Sequence, residues 1–475
     1  MAGNDYIQSS LHLNNGLKNQ PQVEVVMVPF PSQGHLNQLL QLSRLISSYN
    51  IPVHYVGTAT HNRQAKLRVH GWDPLSITNI HFHEIPTPNF LNPPPNPNTS
   101  VKFPAHLQSS FDSSTKLRRP ISALLRAISD RSKRVVIIND SLMGQVIQDF
   151  VKLPNAEAYT FHSVSAYCIF FFMWESKGKP FPVDHKILEL LTPMDGCFTR
   201  EFIEFIRNQH DYIKLCSGRI YNSCKAIEAP FLDFLAKEEI SENKPQWALG
   251  PFNPVTISNQ RRHKCMEWLD KQIPNSVIFI SFGTTTTFSL EQIKELAIGL
   301  ENSNQKFLWV LRDADKGDVF DEKSRRNIEL PKGLEERVKR RGLVVRNWAP
   351  QLKILGHFAT GGFMSHCGWN SCMESISMGV PIAAWPMHSD QPRNAVLITK
   401  LLKVGLMVKE WDCRDHEQLV TSSVIEKAVR MLMAAEVGHL MRKRAAEMAT
   451  VVQRSVAEGG DTRMELDSFI AHIAR

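Results

Sequence analysis

No part of this 475-residue chain is apolar for long enough to cross a bilayer; the longest run, Ala166 to Trp174, stops far short of a span. No transmembrane helix is expected. The eight cysteines, at 168, 197, 216, 224, 265, 367, 372 and 413, form no CxxC pair and show no zinc spacing, so they read as reduced thiols of a cytoplasmic protein. Neither GxSxG nor GxGxxG occurs, which removes the usual signatures of serine-hydrolase and nicotinamide chemistry. Charge is not concentrated either. The net charge of +8 is scattered, with small clusters only at Arg337 to Arg341 and Arg442 to Arg444. Without a recognition motif or an aromatic-basic groove, such clusters are solvated helix faces, and nucleic acid is not expected as a partner. A mild positive balance does suit an anionic small ligand.

What is present is an ordinary globular composition, 43% hydrophobic with 27 prolines, in a chain long enough for two domains. Residues 1–22, rich in Asn, Gln and Ser, read as a disordered leader. From Val23 to Phe30 a strand is followed by Pro31-Ser32-Gln33-Gly34-His35 and a helix with apolar Leu36, Leu39, Leu40 and Ile46. Further strands are expected at Pro52 to Gly57, Val135 to Asn139 and Glu157 to Phe161. Pro86 to Pro104, with seven prolines, can only be a long loop over the sheet's carboxyl edge. A linker over 251–265 separates the domain 23–250 from a second alternation over 266–455. There the pattern predicts strands at Val277 to Phe282, Phe307 to Leu311 and Gly342 to Val345, and a helix at Leu290 to Ser303. Alternation of this kind implies an α/β chain with two doubly wound parallel sheets.

The densest chemistry lies between Trp348 and Gln391, WAPQLKILGHFATGGFMSHCGWNSCMESISMGVPIAAWPMHSDQ. Ala359 to Ser365 reads as a buried strand, His366-Cys367-Gly368 as a turn, and Trp369 to Met378 as a helix ended by Gly379 and Pro381. A helix N-terminus leaves N–H groups unpaired and carries partial positive charge, so a diphosphate can settle there without a metal. His366, Asn370 and Ser371 are placed to assist. Glu374, one turn beyond Asn370, can accept two vicinal hydroxyls of a ribose, and Trp348 offers a flat face for a base.

This 44-residue segment closely resembles, without a gap, the signature of the plant secondary-product glycosyltransferases, family-one enzymes that use UDP-sugars. The resemblance implies a GT-B fold of two Rossmann-like domains facing across a cleft, with a last helix at 456–475, near Arg463 to Ala474, crossing back to the first domain. It implies that Trp348 stacks on uracil, Glu374 holds the ribose hydroxyls and His366, Asn370 and Ser371 bind the phosphates, with Ala349 and Gln351 also among the donor-binding residues. It places Trp369, Asp390 and Gln391 on the sugar; a final Gln is associated with glucose donors. Thr284, in Ser281-Phe282-Gly283-Thr284, stands where the family usually has serine against phosphate, with Thr285 to Thr287 as rivals for that contact. Ser163 matches a hydroxyl residue that approaches the sugar. No metal or other cofactor is implied, and a monomer is expected.

His35 follows a glycine at a helix start, in the loop after the first strand, which in an α/β domain faces the ligand crevice. The macrodipole there disfavours imidazolium and keeps the ring available as a base. Asp140 ends the strand Val135 to Asn139 at the same edge, either orienting His35 or capping the next helix. In the family the residues matching this pair deprotonate the acceptor hydroxyl, and a single in-line displacement inverts the anomeric carbon.

Two rival motifs carry less. Asp313-Ala314-Asp315 is a DxD, the manganese-binding element of a different glycosyltransferase fold, but here it reads as a solvated loop. Cys367 beside His366 reads as packing. A non-catalytic binding protein built on the same cleft is disfavoured because both His35 and Asp140 are present.

The N-terminal segments VPFPSQGHLNQLL at 28–40, HYVGTATHNRQ at 54–64 and INDSLM at 138–143 resemble the zeatin O-glucosyltransferases within that family. This implies transfer of glucose to the side-chain hydroxyl of the cytokinin zeatin. Flavonoids, other phenols and terpenoid alcohols are the alternative acceptors and UDP-xylose the alternative donor, with Phe90, Phe103 and His162 as candidates for the acceptor pocket.

Overall fold

A computed structural model describes residues 22–69, 71–99, 102–255, 263–321, 328–411 and 418–475. Except for Gln22, the expected leader lies outside the described residues, as do positions 256–262 of the expected linker.

Thirteen strands among the described residues form two wholly parallel sheets. The first contains β1 (Val23–Val28), β2 (Val53–Thr58), β3 (Ile80–Ile85), β4 (Arg134–Asp140), β5 (Ala156–His162), β6 (Gly218–Tyr221) and β7 (Gln246–Ala248), in the order 3-2-1-4-5-6-7. The second contains β8 (Val277–Ser281), β9 (Lys306–Val310), β10 (Gly342–Val345), β11 (Thr360–Ser365), β12 (Ile382–Ala384) and β13 (Gly405–Met407), in the order 10-9-8-11-12-13. The central strands are apolar along nearly their whole length because helices cover both faces. All six residues of β1 and all five of β8 are buried.

Most expected elements fall within a residue or two of those observed, and the helix Leu290–Ser303 and β10 coincide with them. The hydrophobic pattern does not reveal β3, Ile-His-Phe-His-Glu-Ile, whose only buried residue is Ile80. It is an edge strand held by register with β2, from Val53 opposite Ile80 to Thr58 opposite Ile85, so its polarity hides it. Residues 86–99 and 102–104 form neither helix nor strand.

In each sheet the strand order reverses once, between β1 and β4 and again between β8 and β11. Loops leaving neighbouring strands on opposite sides of such a reversal part company and open a crevice at the carboxyl edge. Both crevices face one cavity of about 820 Å³, which is the GT-B arrangement.

Apolar packing is part of what holds the halves together. Phe170 and Phe171 share a buried apolar cluster with Trp369 and Met373. The last helix, Asp461–Ile473, buries Leu466, Phe469 and Ile473 on the first sheet, the Phe469 ring 5.1 Å from Trp247 and 5.7 Å from Tyr159. Phe469→Ala should therefore cost about 3–5 kcal/mol in chemical denaturation, the range for emptying a buried aromatic site.

Candidate functional site

The helix Gln33–Ser47 starts at the carboxyl end of β1, and its third residue, His35, lines the cavity with 22% of its side chain exposed. Its Nδ1 lies 2.7 Å from Oδ2 of the fully buried Asp140, the last residue of β4. The other oxygen of Asp140 accepts the Leu142 N–H at 2.9 Å, so this one carboxylate both caps the following turn and orients the histidine. Ser163 Oγ stands 3.0 Å from the same Nδ1, which places Ser163 beside the base.

Burial opposes a charge on His35, but the adjacent Asp140 outweighs it, with help from Asp390, and the pKa rises above its ordinary value. The helix start, expected to disfavour the charged ring, is thus outweighed: a carboxylate at hydrogen-bond distance exceeds a partial dipole charge.

Across the cavity, β11 ends just before His366, and the helix Trp369–Ser377 follows Gly368, with no side chain capping its N-terminus. His366 is buried and its Nδ1 has no hydrogen-bond partner. Burial lowers its pKa to about 4, so the ring is neutral. A Cβ added at Gly283 or at Gly368 would stand 2.5 Å from its Nε2, and Gly283 also has φ of +74°, so neither position admits a side chain. Uncapped amides, an unpartnered imidazole nitrogen and close backbone together form a cradle for an anion.

Glu374 lies one turn along the same helix, 5% exposed. Gln351 donates from Nε2 to Glu374 Oε2 and to Ser371 Oγ, each at 2.9 Å. Burial pushes the Glu374 pKa up to about 7 despite that bond. Asp390, bonded by Asn394 Nδ2 at 2.6 Å, is likewise raised by burial to about 6. Gln391 accepts the Met387 and His388 backbone N–H groups through Oε1, at 2.9 and 3.1 Å. Burial takes His388 down to about 3; its Nε2 lies 3.2 Å from Thr285 Oγ1. Thr284 and Thr285 line the cavity, whereas Thr286 is buried and Thr287 bonds Asp313.

Two donor-side residues are engaged across the cleft. Asn370 Nδ2 donates to the Gly34 carbonyl at 2.7 Å, and the Trp369 indole N–H to the Asn222 carbonyl at 2.8 Å.

Trp348 and Ala349 line the cavity, and the Arg68 guanidinium carbon lies 4.7 Å from the Trp348 ring centroid, with that of Arg312 at 5.7 Å. Both arginines pair with Asp315, which is 8% exposed. The expected solvated DxD loop is thus corrected. Its second carboxylate is sunk between two guanidiniums, one from each half of the chain, and its backbone N–H donates to the Thr284 carbonyl at 2.7 Å. Among the described residues no group of three or more His, Cys, Asp or Glu could hold a metal ion.

The rest of the cavity is aromatic, walled by Phe30, Phe103, Phe111, Phe172, Phe198 and Phe202. Phe103 and His162 line it, but Phe90 does not: its ring packs beside Gly317 and Ser110. Cys367 is buried at φ of +63° in the turn before the helix, bonded through its backbone N–H to Ser365 Oγ. Sequence reasoning does not reach Arg68, Arg312 or His388, and only His388, within the 348–391 segment, carries a local signal.

Comparison with known proteins gives two family matches, "Glycosyltransferase, N-terminal domain" over residues 21–254 and "UDP-glucoronosyl and UDP-glucosyl transferase" over 258–437. The chain is 53% identical to zeatin O-glucosyltransferase of Phaseolus lunatus, over 97% of this chain and 99% of that one. It is 52% identical to zeatin O-xylosyltransferase of Phaseolus vulgaris, over 97% and 100%. Among solved structures, Phytolacca americana UGT2 complexed with UDP-2fluoro-glucose and pterostilbene superposes with a TM-score of 0.74 at 26% identity, covering 96% of this chain and all of that one.

Removing Asp315 leaves two partly buried guanidiniums uncompensated beside Trp348. Asp315→Ala should cost about 3–5 kcal/mol of stability, read by denaturation, with a change in tryptophan fluorescence.

Proposed function

Since this chain belongs to the UDP-glucoronosyl and UDP-glucosyl transferase family and is a glycosyltransferase, we propose that it moves glucose from UDP-glucose to the side-chain hydroxyl of zeatin. The observation that carries this reading is the His35–Asp140 pair, 2.7 Å apart, in the same cavity as the anion cradle at His366 and Gly368. Near-equal identity to an O-glucosyltransferase and an O-xylosyltransferase favours UDP-xylose as the second donor.

In this reading the uracil lies on Trp348, the ribose hydroxyls on Glu374 and the diphosphate on the helix start with His366, Asn370, Ser371 and Thr284. Asp390 and Gln391 meet the sugar. His35 has Nδ1 tied to Asp140, which leaves Nε2 to accept the hydroxyl proton. An alcohol is too weak an acid to ionise first, so proton transfer accompanies attack on the anomeric carbon. The new C–O bond forms as the bond to the diphosphate breaks. The α-linked sugar becomes a β-glycoside, and UDP leaves against the cradle, its charge met by fixed dipoles. Asp140 stabilises the imidazolium. The protein acts in the cytoplasm as a monomer, with no metal.

Incubating the purified protein with UDP-glucose or UDP-xylose and a panel of trans-zeatin, cis-zeatin, a flavonol and a terpenoid alcohol tests this by mass spectrometry. A zeatin glucoside is expected to dominate; glycosides of the other alcohols alone would refute the acceptor. His35→Ala should lose about 10²–10⁴-fold in kcat yet still bind UDP. Because catalysis needs the neutral ring and Asp140 raises its pKa, activity should climb with pH through that pKa; Asp140→Asn should move the climb to lower pH while lowering the rate.

Glu374 supplies an independent check. With its pKa near 7 when the site is empty, it must lose a proton to accept two ribose hydroxyls, so donor affinity falls below that pH and is flat above it. UDP-glucose, which has no titrating phosphate in this range, should bind about tenfold more weakly at pH 6 than at pH 8, and Glu374→Gln should bind weakly at both.

A further inference from the structure

Beyond His35 the cavity continues along β5 and β6 into a lobe between the helices Ala166–Ser176 and Arg200–His210. Its floor holds two polar side chains that nothing in the proposed chemistry uses. Arg219, on β6, is 4% exposed; Nη1 donates to the Ile240 carbonyl at 2.9 Å, while Nε has no partner. Glu242, the carboxylate whose field reaches Arg219, is paired with Lys177 instead. His162, the last residue of β5, is 2% exposed, stacked on Tyr221 at 5.5 Å, and its Nε2 also has no partner. Burial, together with the charges of Arg219 and His210, holds its pKa well below the ordinary value, so the ring is neutral. One buried guanidinium N–H and one buried imidazole nitrogen without partners cost stability that a ligand's hydrogen bonds recover.

The spacing matches the other end of the reaction. Arg219 pairs in register with Thr160, and Ser163, three residues further along, touches His35 Nδ1. At ~3.3 Å per residue, the strand separates these levels by about 10 Å. Phe30 and Phe202 pack on each other, rings 6.4 Å apart and tilted by 60°, and give the cavity an aromatic wall on which a flat ring can lie.

We propose that Arg219 and His162 form an acceptor-recognition subsite that holds the ring-nitrogen edge of a planar nitrogen heterocycle, such as a purine, whose hydroxylated arm reaches back to His35. The subsite rests on the reading of this cavity as the acceptor site for zeatin. Arg219 Nε–H donates to a ring nitrogen, and the neutral His162 donates to or accepts from its neighbour. A hydrocarbon ring of the same size would leave both groups unpaired, and a site built on hydrogen bonds rejects such an analogue strongly.

The test compares trans-zeatin with a biaryl alcohol of similar length and no ring nitrogen, at saturating UDP-glucose, for the full chain and its His162→Phe, Arg219→Leu and Arg219→Lys variants. Both His162→Phe and Arg219→Leu should raise the zeatin KM about tenfold or more with little change in kcat, lowering the zeatin-to-biaryl ratio of kcat/KM by a similar factor. Arg219→Lys should recover part of it. His162→Phe should melt at the same temperature or higher, because it removes an unsatisfied buried nitrogen. Equal losses on both acceptors with a lowered melting temperature would make these residues structural and overturn the subsite. So would an unchanged zeatin KM in variants of a zeatin-active enzyme, which leaves the function standing. A wild-type protein that glucosylates the biaryl alcohol and not zeatin overturns the acceptor reading and the subsite with it.

Discussion

Everything in this molecule depends on a topological constraint met twice: each parallel sheet reverses its strand order once, and the two reversals look at each other. Between β1 and β4 the reversal delivers His35 and Asp140 from segments 105 residues apart to hydrogen-bond distance. Between β8 and β11 it delivers Gly283 and His366, packed so closely that a methyl group would collide. No side chain creates these meetings. Parallel pairing and the reversal of strand order do, and the side chains then use the crevices that result.

The cavity walls carry groups that a folded protein would be more stable without. His366 and His388 are stripped of charge by burial, and Glu374 and Asp390 are pushed to about 7 and 6. Such perturbations cluster at functional sites. His35 differs: a committed carboxylate makes it more basic, against its burial. Among the histidines of one cavity, His35 is thus shifted up where His366 and His388 are shifted down.

The sequence is informative where function is local. The segment 348–391 is one contiguous unit, so its spacing translates directly into a strand, turn and helix with His366, Asn370, Ser371 and Glu374 lining the cavity. His35 and Asp140 are legible because Asp140 ends one strongly apolar strand and His35 opens the helix that follows another. What stays hidden is long-range. Asp315 looks like a solvated loop residue because its partners are Arg312 nearby and Arg68, 247 positions away. Arg219 lies in a short strand of ordinary pattern, and only the fold shows that the carboxylate of Glu242 is committed to Lys177 rather than to it. The strand β3 escapes notice because an edge strand needs little hydrophobicity, and Phe90 is misplaced because a loop's direction is set by what it packs against.

The last helix has a mechanical consequence. The chain passes from the first sheet to the second between β7 and β8, and it returns between Val456 and Asp461 to anchor Phe469 under Trp247. A body tethered to another by a single strand can swivel in any direction; one tethered at two separate points can only turn about the line through both. With two tethers, and with Asn370, Trp369 and Asp315 each bonded across the cleft, swivelling of one half against the other is restricted, and His35 and the facing helix start are kept in register by connections on more than one side of the cavity.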